Sequence, residues 1–230
     1  MSSVQPQLSK AVAEAIGTFA LVFAGCGAVM VSERFPGSIS GSAIPLVFGL
    51  AVAAMIYAVG HISGAHFNPA VTLAFVVARH FPKREVLSYW LAQFFGAVTA
   101  ISLLYLLLPA GNTYGATIPV VPTLQALGWE IVLSFFLMFV IIAVATDTRA
   151  VGVMAGAAIG ATVILCALVG GPVTGASMNP ARTLAPAIFQ GRLDVFWIYL
   201  VGPSVGTTLA AILYEWIRCE PQKKNAKGCC

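Results

Sequence analysis

One stretch of twelve residues occurs twice in the chain, and it sets the strongest limit on how the chain can fold. The copies cover residues 63–74 and 174–185, and both read small-Gly-Ala-x-x-Asn-Pro-Ala-x-Thr-Leu-Ala. Asn is a favoured N-cap residue, and Pro is favoured at the first position of a helix. Each copy therefore predicts a short helix that begins at Asn68 or Asn179 and continues through about ten mainly apolar residues.

These helices are too short to cross a bilayer alone. Ten helical residues cover about 15 Å, roughly half of a ~30 Å hydrocarbon core.

The chain of 230 residues is 59% hydrophobic and only 9% charged, whereas soluble domains carry about 25% charged residues. These proportions predict an all-α membrane protein with a single domain over residues 1–230. The net charge of +4 does not indicate a nucleic-acid partner, because no basic run is interleaved with aromatic residues.

Six longer apolar segments are predicted to span the membrane. They cover approximately residues 9–31, 42–59, 85–108, 125–145, 152–169 and 196–216. Six spans place both termini on one side, and that side collects most of the basic residues: Lys10, Arg79, Lys83, Arg84, Arg149, Arg218, Lys223, Lys224 and Lys227. Because cytoplasmic loops carry an excess of Lys and Arg, we expect a multi-pass protein of the cell membrane with both termini cytoplasmic.

The chain also repeats as a whole. The segment 13–19 around Glu14 resembles the segment 129–135 around Glu130, and each is followed by two spans and an Asn-Pro-Ala motif. We expect repeats over about residues 9–108 and 125–217, with 218–230 as a cytoplasmic tail. Three spans separate the two short helices, so the second helix enters from the opposite face. Such inverted repeats with broken helices are typical of transport proteins.

The two motifs, Asn68-Pro69-Ala70 and Asn179-Pro180-Ala181, are predicted to meet in the wall of a pore. Irregular backbone at membrane depth must be buried or line a water-filled cavity, so the segments 60–67 and 170–178 should present carbonyl groups to a lumen. The residues expected to supply these carbonyls are Gly64, Ala65, His66, Gly175 and Ser177. Each Asn side-chain oxygen caps its helix, which is expected to leave the amide NH₂ free to donate into the lumen.

Charged residues inside the spans need partners. Glu14 and Glu130 are expected to face the interior and to accept N–H bonds from the loop of their own repeat. A proton relay in a proton-coupled secondary transporter is the alternative role for these carboxylates. Arg182, one turn into the second short helix, is expected to face the pore. His61 and His66 suggest a metal site, but the second copy has no matching His or Cys, so neither a metal nor another cofactor is expected.

The paired Asn-Pro-Ala motifs, the sequence Gly-His-Ile-Ser-Gly-Ala-His over residues 60–66 and Arg182 resemble the major intrinsic proteins, the family of aquaporins and aquaglyceroporins. The resemblance covers about residues 11–217. It implies an aquaporin-like right-handed bundle of six transmembrane helices plus two re-entrant half-helices, one pore per subunit and a homotetramer in membrane lipid. It also implies a passive channel and not an enzyme. A non-conducting structural role is known for some members, but the long adhesive loops of such a role are absent here.

The resemblance further implies a narrow outer filter made by Phe48, Ala167, Ala176 and Arg182. Phe48 and Arg182 look like those of strictly water-selective members, which is one alternative. Such members usually carry His at the position of Ala167, so the methyl group here widens the expected filter. Aquaglyceroporins typically carry Asp where this chain has Thr183.

The segments 144–150 and 171–180 look like those of the nodulin-like branch. That branch passes water, glycerol-like polyols and uncharged metalloid acids such as silicic, boric or arsenous acid. The short tails and loops resemble those of prokaryotic members.

Overall fold

The structure is a computed structural model that describes residues 6–108, 113–147, 150 and 152–218. The described residues form eight α-helices and no strand. In chain order these are α1 Gln7–Arg34, α2 Ala43–Ser63, α3 Pro69–Val77, α4 Val86–Leu107, α5 Thr123–Thr146, α6 Ala155–Thr174, α7 Pro180–Gln190 and α8 Phe196–Ile217. Of the residues predicted to be cytoplasmic, Arg149 and the tail residues 219–230 lie outside the described residues.

Six of these helices are long and apolar enough to cross a membrane, namely α1, α2, α4, α5, α6 and α8. The remaining two, α3 and α7, have 9 and 11 residues. The structure therefore confirms the predicted class of fold, with six spans and two half-helices. Between 22% and 50% of each span is buried inside the chain. Several large apolar side chains of the spans, such as Leu50, Phe95 and Leu165, are more than 60% exposed and require lipid or protein to cover them.

The spans pack in pairs that match between the two halves of the chain. Helix α1 packs against α4, and α5 packs against α8. Both pairs approach closely at a glycine: a methyl group on Gly96 would lie 2.2 Å from the carbonyl oxygen of Ala15, and one on Gly206 would lie 2.1 Å from that of Ile131. Small residues at helix contacts are a general device of membrane bundles. Each half-helix packs on a span from the other half of the chain: α3 packs on α8, and α7 packs on α4.

Helices α2 and α6 end later than the sequence predicts, at Ser63 and Thr174 instead of near residues 59 and 169. Their last carbonyl groups find partners from distant helices. The hydroxyl of Tyr89 donates to the carbonyl of Ser63 at 2.6 Å, and the hydroxyl of Tyr199 donates to that of Thr174 at 2.6 Å. The irregular segments are therefore limited to residues 64–68 and 175–179.

Both half-helices begin as the sequence predicts. Each starts at a Pro that follows an extended Asn. The side-chain oxygen of Asn68 accepts the backbone N–H of Ala70 at 2.9 Å, and that of Asn179 accepts the N–H of Ala181 at 3.0 Å. Each Asn thus satisfies one of the free donors that a helix leaves at its N-terminus.

Candidate functional site

A cavity of about 960 Å³ runs along the inside of the bundle and passes between the two half-helices. Its lining includes Gly41 and Ser42 just before α2, Val153 just before α6 and Gly156 in the first turn of α6. The second and fifth of six alternating spans run in opposite directions, so their first residues lie at opposite ends of the bundle. The cavity therefore extends from one membrane face towards the other, as a conduit does.

Asn68 and Asn179 both line this cavity, and each reaches across to the other half of the chain. The amide nitrogen Nδ2 of Asn68 donates to the carbonyl of Met178 at 2.7 Å, and Nδ2 of Asn179 donates to the carbonyl of Phe67 at 2.8 Å. The expectation that each NH₂ group is wholly free was wrong, because one N–H of each is used in this exchange. One N–H of each amide remains to donate into the cavity.

Glu14 is fully buried and accepts four hydrogen bonds. The backbone N–H groups of His66 and Phe67 donate to it at 2.9 and 2.7 Å. The hydroxyl of Ser63 and the amide of Gln93 donate to it at 2.7 and 2.8 Å. A buried carboxylate is tolerated only with such a full set of donors. Glu14 therefore holds the loop that precedes α3 in place.

Glu130 has the same relation to the second loop and is also fully buried. The N–H groups of Ser177 and Met178 donate to its carboxylate at 3.0 and 2.9 Å, and the hydroxyl of Thr174 donates at 2.7 Å. Glu130 has no counterpart of the Gln93 donor, because Pro203 stands in α8 at the position that Gln93 holds in α4, four residues after the matching tyrosine.

Both loops hold non-glycine residues in the left-handed region of backbone space. The four residues are Ala65 (φ 52°), Phe67 (φ 50°), Ala176 (φ 42°) and Met178 (φ 53°). This conformation costs roughly 1–2 kcal/mol per residue, so the surrounding structure must hold it in place. The carboxylates of Glu14 and Glu130 do so by accepting N–H bonds from each loop. The residues expected to line the lumen here, Gly64, Ala65, His66, Gly175 and Ser177, all border the cavity.

The structure brings Phe48, Ala167, Ala176 and Arg182 together around the same cavity. Arg182 is only 5% exposed, and its guanidinium carbon lies 5.0 Å from the centre of the Phe48 ring. Its Nη1 donates to the carbonyl of Gly115 at 2.7 Å. Because this partner is uncharged, the positive charge of Arg182 is not neutralised by it and acts on whatever enters the cavity.

The segment 113–121 takes part in this site, which the sequence did not reveal. In the sequence, this segment is recognisable only as part of a long uncharged loop. In the structure, Gly115 supplies the carbonyl that holds Arg182, and the hydroxyl of Thr117 lies 3.0 Å from that of Thr183. Gly115 has a positive φ of 69°, a conformation that glycine adopts readily. The glycine in this loop was therefore a signal in the sequence that could have pointed to a specific turn. Neither hydrophobic periodicity nor the internal repeat points to this docking.

His66 is held inside the protein and does not pair with His61. Its Nδ1 lies 3.1 Å from the hydroxyl of Thr72, and its ring packs against Phe75 and Phe81 at centroid distances of 4.7 and 4.8 Å. His61 is exposed and borders the cavity. Within the described part of the chain no group of three or more His, Cys, Asp or Glu side chains is placed to hold a metal ion.

The geometry agrees with comparisons with known proteins. Residues 1–214 match the major intrinsic protein family. The chain is 49% identical to Aquaporin NIP1-1 of Oryza sativa subsp. japonica, over 93% of this chain and 75% of that protein. It is also 49% identical to Nodulin-26 of Glycine max, over 93% of this chain and 79% of that protein.

A solved structure with the same fold is the aquaglyceroporin from Plasmodium falciparum. It superposes with a TM-score of 0.83 at 26% identity, over 92% of this chain and 97% of that one. The chain therefore belongs to the major intrinsic protein family, and it is a membrane channel and not an enzyme.

Proposed function

We propose that the channel passively conducts water and small uncharged polar solutes and excludes protons and other ions. The solutes are glycerol-like polyols and uncharged metalloid acids such as silicic, boric or arsenous acid. The observation that carries the proposal is the cavity that runs past both Asn-Pro-Ala motifs and is bordered by Phe48, Ala167, Ala176 and Arg182.

Exclusion of cations follows from the charges around the cavity. Each helix N-terminus carries about half a positive charge, and the first residues of α3 and α7 meet at Asn68 and Asn179. Arg182 adds a full positive charge that borders the cavity directly, whereas the Glu130 carboxylate, which interacts with it electrostatically, is fully buried and does not border the cavity. A cation also loses its hydration, and charges at the bilayer centre cost from ~3 to over 10 kcal/mol. Even ~3 kcal/mol lowers occupancy by about two orders of magnitude, whereas a neutral solute meets neither cost.

Passage of solutes larger than water rests on Ala167. A methyl group at this position leaves room that an imidazole ring would fill, and it offers no hydrogen-bond donor. We assign Phe48, Ala167, Ala176 and Arg182 to the selectivity filter on this basis. The similarity to an aquaglyceroporin structure supports the polyols, and the resemblance of the segments 144–150 and 171–180 to the nodulin-like branch supports the wider set of neutral solutes.

A strictly water-selective channel is the second candidate, because Phe48 and Arg182, which look like the residues of water-selective members, lie together at the cavity. Stopped-flow light scattering on proteoliposomes separates the two. Shrinkage of the liposomes in a hyperosmotic solution of an impermeant solute measures water efflux. Re-swelling of the liposomes in a glycerol gradient measures glycerol uptake. We expect both rates to exceed those of empty liposomes. Fast water efflux with glycerol uptake at the background rate would favour the water-selective channel, and background rates for both would reject the proposal.

Proton-coupled transport, the alternative from another class, receives no support from the buried carboxylates. Glu14 and Glu130 each accept a full set of hydrogen bonds from the loops that they hold. A proton relay would have to break these bonds in every cycle. We therefore assign both residues to support of the pore loops.

We further propose that the channel is a homotetramer in the cell membrane with both termini cytoplasmic. Large apolar side chains on the spans, such as Leu50, Phe95 and Leu165, are more than 60% exposed, which supports lateral contacts with lipid and with other copies. The basic residues Lys10, Lys83 and Arg84 lie where α1 begins and α4 begins, and Lys10 contacts Glu85 at 2.9 Å. Native mass spectrometry tests the tetramer, and labelling of introduced cysteines on each side of right-side-out vesicles tests the orientation.

A further inference from the structure

The ring of Phe48 lies directly against Gly25 in the middle of α1. A methyl group at position 25 would lie 2.0 Å from Cε1 and 2.3 Å from both Cδ1 and Cζ of Phe48, whereas real Cβ atoms essentially never approach another atom within 3.0 Å. The ring can therefore occupy its place only because residue 25 has no side chain. Gly25 provides a notch in the surface of α1 that accommodates this ring.

The same ring also borders the filter. Phe48 borders the cavity, and the guanidinium of Arg182 lies 5.0 Å from the ring centre. A ring displaced from the notch must therefore move away from α1, into the space that it shares with Arg182 and the lumen. The depth to which the ring sits in α1 sets how far it projects into the filter.

Cys26, the next residue of α1, supports the loop whose carbonyl binds Arg182. A methyl group on Gly115 would lie 2.8 Å from Cβ of Cys26, so the loop around Gly115 rests directly on Cys26. The carbonyl of Gly115 in turn accepts the bond from Arg182 at 2.7 Å. Two consecutive residues of α1 thus support the filter: Gly25 contacts the ring of Phe48, and Cys26 contacts the loop whose carbonyl binds Arg182.

We propose that Gly25 is a specificity-determining, positioning residue: by seating the Phe48 ring in α1, it keeps the filter wide enough for uncharged polyols larger than water. The inference rests on the proposed function, because it assumes that Phe48 borders the selective constriction. The residue acts through Phe48 and touches no solute itself. Position 25 requires a residue without a Cβ atom, so any residue other than glycine there narrows the filter.

The test compares Gly25→Ala with the matched variant Gly27→Ala in proteoliposomes. Gly27 lies two residues further along α1 and meets only Leu104 of α4, at 3.2 Å from an added methyl group. We expect Gly25→Ala to lower the ratio of glycerol to water permeability about tenfold, the factor that an added barrier of ~1.4 kcal/mol produces. Gly27→Ala should keep the wild-type ratio. A wild-type ratio in Gly25→Ala would overturn the inference.

A second pair of variants shows whether the effect passes through the ring. In a Phe48→Leu background the smaller side chain leaves room for a methyl group, so adding Gly25→Ala should change the ratio less than twofold, as expected for strongly coupled neighbours. An equal drop in both backgrounds would contradict the inference. If Gly25→Ala alone fails to assemble, recovery of assembly in the double variant supports the inference. Failure of the double variant beside an assembled Phe48→Leu protein overturns it.

The proposed function is judged on the wild-type protein. Wild-type liposomes that conduct no better than empty ones would reject the proposed function and the inference together. Wild-type liposomes that conduct glycerol, beside an unchanged Gly25→Ala ratio, would reject the inference alone.

Discussion

The amide nitrogen of Asn68 lies 2.7 Å from the carbonyl oxygen of Met178, a residue 110 positions later in the chain. The equivalent bond runs from Asn179 to Phe67 at 2.8 Å. These two bonds join the tips of the half-helices at the centre of the bundle. The same side chains that cap α3 and α7 therefore also hold the two repeats together.

The first prediction concerns this central contact. Asn68→Ala removes the cap, worth about 1 kcal/mol, and leaves the buried Met178 carbonyl without its partner, at a cost of about 1–3 kcal/mol. We expect the midpoint of thermal unfolding in detergent to fall by several degrees, measured by fluorescence-detected size exclusion after heating. Ser204→Ala, which removes an exposed hydroxyl bonded within its own helix, should change the midpoint little. Equal midpoints for Asn68→Ala and wild type would contradict the account.

The second prediction concerns the buried carboxylates. Glu130→Ala leaves the N–H groups of Ser177 and Met178 and the hydroxyl of Thr174 without an acceptor, so we expect a loss of at least about 3 kcal/mol of stability. Glu215→Ala is the control, because its hydrogen bond to His80 and its ion pair with Arg218 are partly exposed, and exposed ion pairs contribute up to about 1 kcal/mol. Thermal unfolding and the yield of monodisperse protein measure the difference. A Glu130→Ala protein as stable as the control would show that the carboxylate does not hold the loop.

The third prediction concerns the width of the filter. Ala167→His places an imidazole ring beside Phe48 and Arg182, so glycerol and metalloid permeability should fall about tenfold or more, the effect of ~1.4 kcal/mol or more of added barrier. Water permeability should stay within about twofold. Ala167→Gly, which removes volume, should leave glycerol permeability at least as high as in wild type. Unchanged selectivity in Ala167→His would show that position 167 does not border the constriction.

The fourth prediction concerns exclusion of charge. Arg182→Ala removes the one full charge that borders the filter among the described cavity-lining side chains, while the two helix N-termini remain. We expect proton leak, followed with a pH-sensitive dye inside the liposomes, to rise above that of wild type. Arg192→Ala, in the exposed turn where Arg192 pairs with Asp194 at 3.0 Å, is the matched control and should leave the leak unchanged. A proton leak in Arg182→Ala equal to that of the control would assign charge exclusion to the helix termini alone.

Much of the fold could be predicted because its signals are local. The six spans follow from runs of apolar residues, and α3 and α7 follow from Asn and Pro at adjacent positions, since capping and a fixed φ act within a few residues. The carboxylates were identified because Glu14 and Glu130 recur at matching places in the repeat. The four residues of the expected filter, Phe48, Ala167, Ala176 and Arg182, followed from the resemblance to the major intrinsic proteins and not from the residue pattern alone.

The parts that were missed depend on contacts between distant residues. Helices α2 and α6 continue past Gly60 and Gly170 because Tyr89 and Tyr199 supply partners for their last carbonyls. The docking of Gly115 on Arg182 joins residues 67 positions apart. Neither propensity nor periodicity encodes such contacts, since both measure only near neighbours in the chain.

The central claim is that neutral solutes pass downhill while ions do not pass. The most direct measurement follows glycerol uptake and internal pH in the same proteoliposomes, with and without an imposed pH gradient and membrane potential. The account predicts fast glycerol uptake that is unaffected by either gradient and that stops when the concentrations are equal, together with a proton leak no greater than that of empty liposomes. Uphill accumulation of glycerol driven by the pH gradient, or a proton leak well above that of empty liposomes, would contradict it.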